Sequence, residues 1–452
     1  MEYLKQILDE NRVVFSNIED KYLSDTLGRL KGTASALVFP KNTEEVSNVV
    51  KYAYQNDIPV TTRGAGTNLV GSTVPSGGII VDLSLMNNIV EIDRNTFTAT
   101  VEAGIVLQDF QATLESMGLF YPPDPGEKTA TVGGNIATNA GGMRAVKYGV
   151  TRDYVRGLEV VLPSGEIMTV GSKNVKDASG LSLKHLFVGA EGTLGIITKC
   201  IVKIIPKPEV AVSVLVPFGD LETGISNVLE IIKANANPTA IEFVERSVVE
   251  LGEQYTGVKF PCPQAKAYIL LTFDGYENEI RSGIKRVEKI VFEHGAMDYI
   301  VLDDLAYSGD IWKVRGCLVK AVEEVSEQEP VDLVVPINRT AEFISYVHKV
   351  EKESGVQMVA FGHAGDGNVH LCVVRGNRSD EVWEKDLSSV MTLIYNKAYQ
   401  LGGLTSGEHG IGMSKRKYYF SNTPDVNIHT MRAIKKALDP KGLFNKHISY
   451  GE

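Results

Sequence analysis

Cysteine, basic residues and long apolar runs are all scarce in this chain. The four cysteines among 452 residues lie far apart and form no C-x-x-C pair, so they encode neither an iron-sulfur cluster nor a zinc ribbon. No stretch is apolar for long enough to span a bilayer, and the start, MEYLKQILDE, has acidic residues in place of a signal-peptide core. We therefore expect no transmembrane segment and a cytoplasmic location.

The balance of charge excludes a further class of protein. The formal net charge is -10, whereas sequence-independent binding of nucleic acid requires clustered Lys and Arg. Hydrophobic residues make up 43% and charged residues 23%, which is ordinary for a folded globular protein. Because 452 residues exceed the usual size of one hydrophobic core, we expect two or more domains and no nucleic-acid partner.

The first part of the chain alternates short strands and helices. ALVFP and IPVTTRG are predicted strands on either side of a helix, for which Asn42 followed by Glu45 is a capping-box start. Further strand candidates, a helix near residues 106–117 and a hairpin in LEVVLPSGEIMTV follow. Residues 121–150 are too poor in periodic apolar residues to form one regular element.

The second part of the chain has a different pattern. Apolar segments alternate with amphipathic helices over roughly residues 210–404, which predicts an α+β domain built on an antiparallel sheet. The predicted strands are AVSVLVPF, AIEFVE, AYILLTFDG, MDYIVLD, VDLVVP, QMVAFG and NVHLCVV. A last helix within residues 427–444 ends at Asp439-Pro440. The fold class predicted for the whole chain is α+β.

Glycine is concentrated in three segments of the first part, which we call the first, second and third glycine clusters. They are TTRGAGTNLVGS (residues 61–72), PPDPGEKTATVGGNIATNAGGMRAVKYG (122–149) and GAEGTLGIIT (189–198). Glycine permits positive φ angles and lets backbone N–H groups point inward to cradle a pyrophosphate. For the first cluster alone, a surface turn is the alternative, and its spacing is not that of the Rossmann fingerprint.

Histidine occurs twice in a glycine-rich context in the second part. FGHAGDGNVHL separates His363 and His370 by a Gly-Asp-Gly turn, and SGEHGIG places Glu408 next to His409. A turn between two strands can bring both imidazoles onto one metal ion, to which Glu408 would add a carboxylate. Neighbouring side chains on extended backbone diverge, so His409 would face the substrate instead. Structural histidines in capped turns are the alternative. The remaining histidines have no such context: His185, His294, His348, His429 and His447.

Arg315 is the candidate for binding a carboxylate. It lies in DIWKVRGCLVKAV, where one continuous helix would place Trp312 and Val319 on its face. A planar guanidinium can bind both oxygens of a carboxylate. Periodicity alone favours a solvated arginine at this position.

In order and content, these motifs resemble the FAD-linked oxidase family, with its vanillyl-alcohol oxidase type of fold, and especially its D-lactate, glycolate and D-2-hydroxyglutarate dehydrogenase branch. The resemblance covers about residues 39–445 and includes GHAGDGNVH, GEHGIG and W-x-x-R. It implies a two-part FAD-binding domain at 1–208, an α+β cap domain for the substrate at 209–404, and a C-terminal segment at 405–452 that carries a catalytic motif and returns to the FAD domain. Members that attach FAD covalently have a His in the first loop. The first glycine cluster has none, which implies noncovalent FAD.

The resemblance also implies which residues bind FAD. Those at the pyrophosphate are Arg63, Gly64, Ala65, Gly66, Thr67, Asn68 and Ser72. Those along the path from adenine to flavin are Pro122, Asp124, Thr131, Gly133, Gly134, Asn135, Thr138, Gly141, Gly142, Glu191, Gly192, Gly195 and Ile197, with Asn445 assigned to the same cofactor.

The same resemblance divides the chemistry among the polar residues. It assigns one divalent metal, Zn, Fe or Mn, to His363, His370 and Glu408, the general base to His409, and the substrate carboxylate to Arg315. Oxidation of an α-hydroxy acid removes the hydroxyl proton and transfers hydride from Cα to flavin N5. A metal that lowers the hydroxyl pKa and a neutral histidine base are complementary in this reaction.

One departure from the family bears on the substrate. The 2-hydroxyglutarate enzymes have a Lys shortly before the strand that corresponds to VDLVVP, whereas this chain has Pro330 near that place. Arg339 could replace the lysine in part, or it could face solvent at the start of a helix. The prediction is therefore a short D-2-hydroxy acid, with D-lactate first and glycolate next.

The sequence leaves the electron acceptor open. It has no iron-sulfur motif and no nicotinamide fingerprint, so electrons would pass to a quinone, an iron-sulfur subunit, an electron-transferring flavoprotein or oxygen. Two other functions are compatible with the fold. A noncatalytic flavin-carrying subunit for electron relay would have lost the metal ligands and arginine, which this chain keeps. A flavin-dependent transferase, such as the ether-lipid synthase relatives, would form a covalent adduct between flavin and substrate.

Overall fold

The computed structural model describes residues 1–448, which divide into two compact units. The first unit contains residues 1–141, 150–207 and 408–448, and the second contains residues 142–149 and 208–407. The chain changes unit after residue 207 and again after residue 407. The sequence pattern does not indicate that residues 142–149 belong to the second unit.

Two sheets and one short strand pair form the framework of the first unit. One sheet has the order β1-β2-β4-β3, with β2 and β3 parallel to β4, and the other has the antiparallel order β5-β6-β10-β8-β9, while β7 pairs with β11. These strands are β1 (Val13–Val14), β2 (Ala36–Val38), β3 (Val60–Arg63), β4 (Ile79–Asp82), β5 (Ile89–Asp93), β6 (Thr98–Glu102), β7 (Leu119–Phe120), β8 (Val155–Val161), β9 (Ile167–Gly171), β10 (Ile196–Lys203) and β11 (Ile205–Pro206).

The helices of the first unit are mostly short. They are α1 (Leu4–Ile7), α2 (Asp20–Leu23), α3 (Thr43–Gln55), α4 (Leu107–Ser116), α5 (Val132–Thr138), α7 (Thr151–Tyr154), α8 (Lys184–Phe187), α16 (Arg416–Asn422) and α17 (Asp425–Leu438), with a 3-10 turn at Glu10–Arg12. Helix α3 begins as predicted, because the Asn42 side chain accepts a hydrogen bond from the N–H of Glu45 at 2.9 Å. The helix predicted near residues 106–117 and the hairpin of β8 and β9 are also confirmed.

The second glycine cluster is not one regular element, as predicted, but it is more ordered than its composition indicates. It contains α5, which Thr131 caps, and α6 (Ala145–Tyr148). Helix α6 belongs to the second unit because Lys147 Nζ and Tyr148 Oη donate to Asp274 Oδ1, at 2.5 and 2.9 Å.

One seven-stranded sheet forms the core of the second unit. Its order is β15-β12-β14-β13-β17-β18-β16, and every neighbouring pair is antiparallel, as predicted. The strands are β12 (Val210–Phe218), β13 (Ala240–Glu245), β14 (Ala267–Gly275), β15 (Ile300–Leu302), β16 (Gln328–Val334), β17 (Met358–His363) and β18 (Asn368–Val374). Each corresponds to one of the predicted strands.

Helices cover this sheet and close its core. They are α9 (Leu221–Lys233), α10 (Arg246–Thr256), α11 (Glu277–Glu293), α12 (Leu305–Gly316), α13 (Leu318–Val325), α14 (Thr340–Ser354) and α15 (Asp380–Gln400), with a 3-10 turn at Ile337–Arg339. A buried apolar cluster joins α10, α12 and α13 to one sheet face, to which Phe361, Cys372 and Val374 belong. The prediction that His370 shares a face with Cys372 and Val374 agrees with the antiparallel register of β18.

One local prediction was wrong. The segment DIWKVRGCLVKAV is two helices, because α12 ends at Gly316 and α13 begins at Leu318 after Cys317. Val319 therefore does not follow Arg315 on the same helix. Glycine is a weak helix former, which favours the break at this point.

Two predicted absences can be compared with the structure. No helix within residues 1–448 is long and apolar enough to cross a membrane. All four cysteines are unpaired thiols, of which Cys200 and Cys372 are buried and Cys262 and Cys317 are partly exposed.

Candidate functional site

Close backbone approach joins the first and second glycine clusters inside the first unit. The first cluster leaves the sheet at Arg63, the last residue of β3. A Cβ atom at Gly64 would lie 2.3 Å from Oγ1 of Thr131, and one at Gly133 would lie 2.6 Å from Cβ of Ala103. Gly66 has a φ angle of +74°, and a Cβ atom there would overlap the guanidinium of Arg63. Ala103, including its backbone, leaves no room for a Cβ atom at Gly133, a Cβ atom at Gly64 would displace the Thr131 side chain, and the positive φ angle favours glycine at Gly66.

Arg63 is a buried cation suited to an anionic ligand. Its side chain is 6% exposed, and burial lowers its pKa. Its contacts are the ring of Tyr22, 5.1 Å away, and Oγ1 of Thr73 at 3.5 Å. The charge of Asp82 partly opposes this effect of burial, but no carboxylate among residues 1–448 lies close enough to form an ion pair with Arg63. Because a buried charge is costly unless it is paired, this guanidinium fits the pyrophosphate that the sequence predicted beside it.

Buried polar atoms nearby also fit a polar ligand. Nδ2 of Asn135, on α5, and Oγ1 of Thr62, on β3, have no hydrogen-bond partner among the described residues. An unsatisfied buried polar group costs about 1–3 kcal/mol. A cofactor with many acceptor and donor atoms, such as FAD, would satisfy both.

Glu191 links the third glycine cluster to the segment SGEHGIG. Its carboxylate accepts the hydroxyl of Ser72 and the N–H groups of Ile411 and Gly412, both at 2.9 Å. Burial raises the pKa of Glu191, which makes these hydrogen bonds important for stabilising its charge. A Cβ atom at Gly410 would lie 2.9 Å from the carboxyl carbon of Glu191. The predicted cofactor residues Ser72 and Glu191 thus use their side chains to hold the loops together.

Asn68 and Asn445 have the same scaffolding role. Oδ1 of Asn68 accepts the N–H groups of Val70 and Ser72, at 2.9 and 3.0 Å, and Nδ2 donates to the carbonyl of His409 at 3.1 Å. Nδ2 of Asn445 donates to the carbonyl of Glu191 at 2.5 Å. These amides therefore position the glycine clusters through protein contacts.

A buried ion pair that sequence reasoning missed brings Asn445 into place. Lys435 Nζ donates to Oδ2 of Asp439 at 2.6 Å and to the carbonyls of Thr193 and Phe444 at 2.7 and 3.0 Å. Asp439 in turn accepts the N–H of Phe444 at 2.9 Å. The i, i+4 spacing of Lys435 and Asp439 was the available signal, although most such pairs are exposed.

The other predicted cofactor residues of the first unit lie in or beside the same clusters. Asp124 forms an ion pair with Lys128. A Cβ atom at Gly141 would lie 3.1 Å from Oε2 of Glu408, and one at Gly192 would lie 2.8 Å from Nδ2 of Asn445. The remainder lie in the loops, in α5 or in β10: Ala65, Thr67, Pro122, Gly134, Thr138, Gly195 and Ile197. Gly142 belongs to the second unit.

Glu408 and His409 lie at a bend in the backbone. Nε2 of His409 is 3.7 Å from Oε1 of Glu408. The two side chains therefore do not diverge as extended backbone predicted. The next residues are fixed to the first cluster, since Met413 N–H donates to the carbonyl of Val70 at 2.7 Å.

Strand register brings a row of polar residues onto one face of the sheet in the second unit. Glu242 on β13 pairs with His363 on β17, which pairs with Asn368 on β18, and Asp332 on β16 pairs with His370 on β18. Residues that pair across antiparallel strands project to the same face. The rings of His363 and His370 have centroids 5.0 Å apart and are nearly perpendicular, at 89°.

Glu242, which the sequence reasoning missed, joins two of the predicted site residues. Its Oε1 is 2.7 Å from Nδ1 of His363, and its Oε2 accepts Nε and Nη2 of Arg315 at 3.0 and 2.6 Å. Burial alone would raise the pKa of Glu242, but the charges and hydrogen bonds of His363 and Arg315 hold it below its ordinary value of 4.5. A lone acid in the apolar run AIEFV was the available signal.

Arg315 is buried rather than solvated. Its side chain is 10% exposed, and its guanidinium lies 5.2 Å from the ring centroid of Phe361. Nη1 makes no hydrogen bond to the described residues, so the outer edge of the guanidinium keeps donors for an anion.

Asp332, also missed from sequence, holds the end of the second unit just before Glu408. Its carboxylate accepts Nδ2 of Asn368 at 2.9 Å, the hydroxyl of Ser406 at 2.7 Å and the N–H of Gly407 at 3.2 Å. It is completely buried. It too is a lone acid within an apolar strand, VDLVVP.

The structure also gives the surroundings of Arg339 and His348. The side chain of Arg339 is 52% exposed, forms an ion pair with Glu342 and starts α14, which fits the solvent-facing alternative. His348, which had no site context, has its Nε2 2.6 Å from Oε1 of Glu245, and this hydrogen bond raises its pKa.

Known proteins resemble this chain over nearly its full length. The family model of the FAD binding domain matches residues 34–171, and that of the C-terminal domain of FAD linked oxidases matches residues 207–447. A D-lactate dehydrogenase of Anaerostipes hadrus is 41% identical and covers 98% of this chain and 96% of its own length. The glycolate oxidase subunit GlcD of Bacillus subtilis is 35% identical and covers 94% of this chain and 90% of its own length.

A solved structure confirms the predicted type of fold. p-Cresol methylhydroxylase with substrate bound matches with a TM-score of 0.78 at 18% identity, over 98% of this chain and 95% of that one. The vanillyl-alcohol oxidase type of architecture inferred from the glycine clusters is therefore present. Together with the two family models and the near full-length relatives, this shows that the chain belongs to the FAD-linked oxidases, a family of flavin-dependent oxidoreductases.

Proposed function

We propose that this chain oxidises a short D-2-hydroxy acid to the 2-oxo acid, with noncovalently bound FAD and one divalent metal, Zn, Fe or Mn. D-Lactate is the first candidate substrate and glycolate the second. Two relatives, a D-lactate dehydrogenase and a glycolate oxidase subunit, support this class of substrate. The observation that carries the proposal is the pair of imidazoles of His363 and His370, 5.0 Å apart on one sheet face.

The first unit would hold FAD. Its glycine clusters bring backbone close to a common region, and Arg63 supplies a buried positive charge for the pyrophosphate. When bound, FAD would accept hydride at N5. Absence of His from the first glycine cluster supports noncovalent binding.

The second unit would contribute two of the three metal ligands. His363 and His370 offer ring nitrogens, and Glu408 would complete a set of two histidines and one carboxylate. Glu408 is bonded to Gly407, whose N–H donates to Asp332, and Asp332 pairs with His370 in the sheet. Chain connectivity therefore supports Glu408 as the third ligand. The metal would lower the pKa of the substrate hydroxyl.

His409 and Arg315 would act on the substrate directly. His409 would accept the hydroxyl proton, for which an imidazole is suited near neutral pH. The outer edge of the Arg315 guanidinium would bind the substrate carboxylate, since Glu242 already occupies the edge formed by Nε and Nη2. Asn68 holds the backbone at the carbonyl of His409, and Glu191 holds it two residues further on, at the N–H of Ile411.

The proposal favours a monocarboxylic acid. A second carboxylate would need a second cation, and the sequence candidate Arg339 is half exposed and paired with Glu342. Pro330 lies within β16. The hydroxyglutarate enzymes were expected to have a lysine near this place.

Electrons would leave to an external acceptor, because the sequence encodes no second redox centre. We propose a redox partner protein, either an electron-transferring flavoprotein or an iron-sulfur subunit, or a quinone, and a cytoplasmic location.

Anaerobic reduction of the flavin by D-lactate, L-lactate and glycolate tests the proposal, with metal analysis of the same sample. We expect rapid bleaching by D-lactate and one equivalent of divalent metal. The His363→Ala and Glu408→Ala variants should lose metal and reduction while keeping FAD, whereas His294→Ala, an exposed histidine of the second unit, should behave as wild type. Full activity of either ligand variant would refute the metal assignment, and no bleaching by any 2-hydroxy acid would refute the substrate class.

A further inference from the structure

We propose that Glu242 is a positioning residue that sets both His363 for metal binding and Arg315 for carboxylate binding. The inference rests on the proposed function. Glu242 lies at the centre of β13 and is completely buried. Each of its carboxylate oxygens serves a different partner, Oε1 serving His363 and Oε2 serving Arg315.

The contact with His363 decides which ring nitrogen can bind a metal. An ionised carboxylate only accepts hydrogen bonds, so Nδ1 of His363, 2.7 Å from Oε1 of Glu242, carries the hydrogen. Nε2 is then the nitrogen with the lone pair for a metal. A carboxylate that accepts a hydrogen bond from a ligand histidine fixes the orientation of the ring and raises the basicity of the ring. Loss of such a carboxylate lowers metal affinity by about 10–100-fold in known sites, and we expect a loss of that size here.

The contact with Arg315 decides which edge of the guanidinium is left for a substrate. Oε2 of Glu242 accepts both Nε and Nη2, at 3.0 and 2.6 Å. The side chain is packed over Phe361 at 5.2 Å. Nη1 and the second hydrogen of Nη2 therefore form the edge that can bind both oxygens of a carboxylate. The orientation of this edge depends on Glu242.

Substitution by glutamine separates this role from simple packing. The Glu242→Gln side chain has nearly the same volume but one acceptor oxygen and one NH2 group. Its oxygen can accept from Arg315 while its NH2 group donates to His363 only if His363 changes tautomer, which moves the hydrogen to Nε2, the nitrogen proposed to bind the metal. The Glu242→Asp variant keeps two acceptor oxygens on a shorter arm.

The same strand offers a matched control. Glu245, three residues along β13, is also mostly buried, and its Oε1 is 2.6 Å from Nε2 of His348. The Glu245→Gln variant therefore removes a buried carboxylate from a carboxylate–histidine pair that has no part in the proposed metal site.

The test measures Zn²⁺ affinity of the FAD-loaded protein by competition with a chelator, and KM and kcat for D-lactate at saturating metal. For Glu242→Gln we expect Zn²⁺ affinity to fall by about 10–100-fold and KM to rise more than kcat falls. Glu242→Asp should be intermediate, and Glu245→Gln should match wild type in both readouts. Wild-type Zn²⁺ affinity and KM in Glu242→Gln would overturn the inference.

A second readout needs neither metal nor substrate. Nitrogen-15 NMR of histidine-labelled, metal-free protein reports which ring nitrogen carries hydrogen, and the His363→Ala variant identifies the signal. We expect the Nδ1–H form of His363 in wild type and a mixture of tautomers in Glu242→Gln. If wild type binds none of Zn²⁺, Fe²⁺ and Mn²⁺, the proposed function fails, while the tautomer still tests Glu242. An unchanged tautomer in Glu242→Gln would count against the positioning role.

Discussion

The two units of this protein prepare their polar groups in different ways. In the first unit, glycine clusters bring backbone into close approach, and buried side chains such as Glu191 and Asn445 hold the loops in place. In the second unit, antiparallel register places Glu242, His363 and His370 on one face of a rigid sheet. The arrangement of the glycine clusters therefore depends on a network of hydrogen bonds. The arrangement of Glu242, His363 and His370 depends on strand pairing, which many apolar contacts stabilise.

The largest effect is expected at His409, which lies in the first unit. His409→Asn should slow flavin reduction by D-lactate by about 10²–10⁴-fold, the usual contribution of a general base. FAD content should not change, because Asn68 bonds the backbone carbonyl of His409. Anaerobic stopped-flow absorbance measures the rate. His429→Asn, an exposed histidine on α17, is the control, and equal rates in the two variants would remove His409 as the base.

The buried ion pair of Lys435 and Asp439 in the first unit should have the next largest effect. Lys435→Met leaves the buried carboxylate of Asp439 without its cation, and breaking such a pair costs about 3–5 kcal/mol. We expect a lower urea midpoint and, because the turn to Asn445 loosens, weaker FAD binding.

The double variant Lys435→Met, Asp439→Asn sharpens this prediction. It removes the unpaired charge while keeping an acceptor for the N–H of Phe444. It should be more stable than Lys435→Met alone. A double variant that is less stable would show that the charge of Asp439 is not the source of the loss.

Substitution of Arg63 tests whether the glycine clusters of the first unit bind an anion. Arg63→Met should weaken FAD binding by about 10–100-fold, the equivalent of one charge-assisted hydrogen bond. Arg12→Met is the matched control, because Arg12 is equally buried in the same unit but is paired with Glu45. Fluorescence titration of the apoprotein with FAD measures both. Equal affinities in the two variants would contradict the pyrophosphate assignment.

The smallest expected effect is on the pH dependence of stability, through His348 in the second unit. The hydrogen bond from Glu245 raises the pKa of His348 above its ordinary value of 6.5. A raised folded-state pKa gives stability that is complete below 6.5 and is lost as pH rises through the folded value. The melting temperature of His348→Gln should therefore fall below that of wild type in mild acid and approach it in mild alkali. A difference that grew with pH would reverse the assignment.

Much of the fold was predictable because it depends on local pattern. The seven strands of the second unit were recognisable from β-branched apolar runs, and the start of α3 from Asn42 and Glu45. The break at Cys317 and the short helices α5 and α6 were not predicted, since each is short and depends on tertiary contacts such as Lys147 with Asp274. The directions of Glu408 and His409 were predicted wrongly because the backbone bends there.

The sequence by itself determined the family, the glycine clusters and the identity of the two histidine motifs, because these are carried by residue types at fixed spacing. Only the tertiary structure decided the partners of the buried charges. Glu242 meets Arg315 across 73 residues and His363 across 121, and Glu191 meets Ile411 across 220. No local pattern encodes such separations, since they follow from strand order and loop packing, and a buried charge reveals its role only once its partner is known.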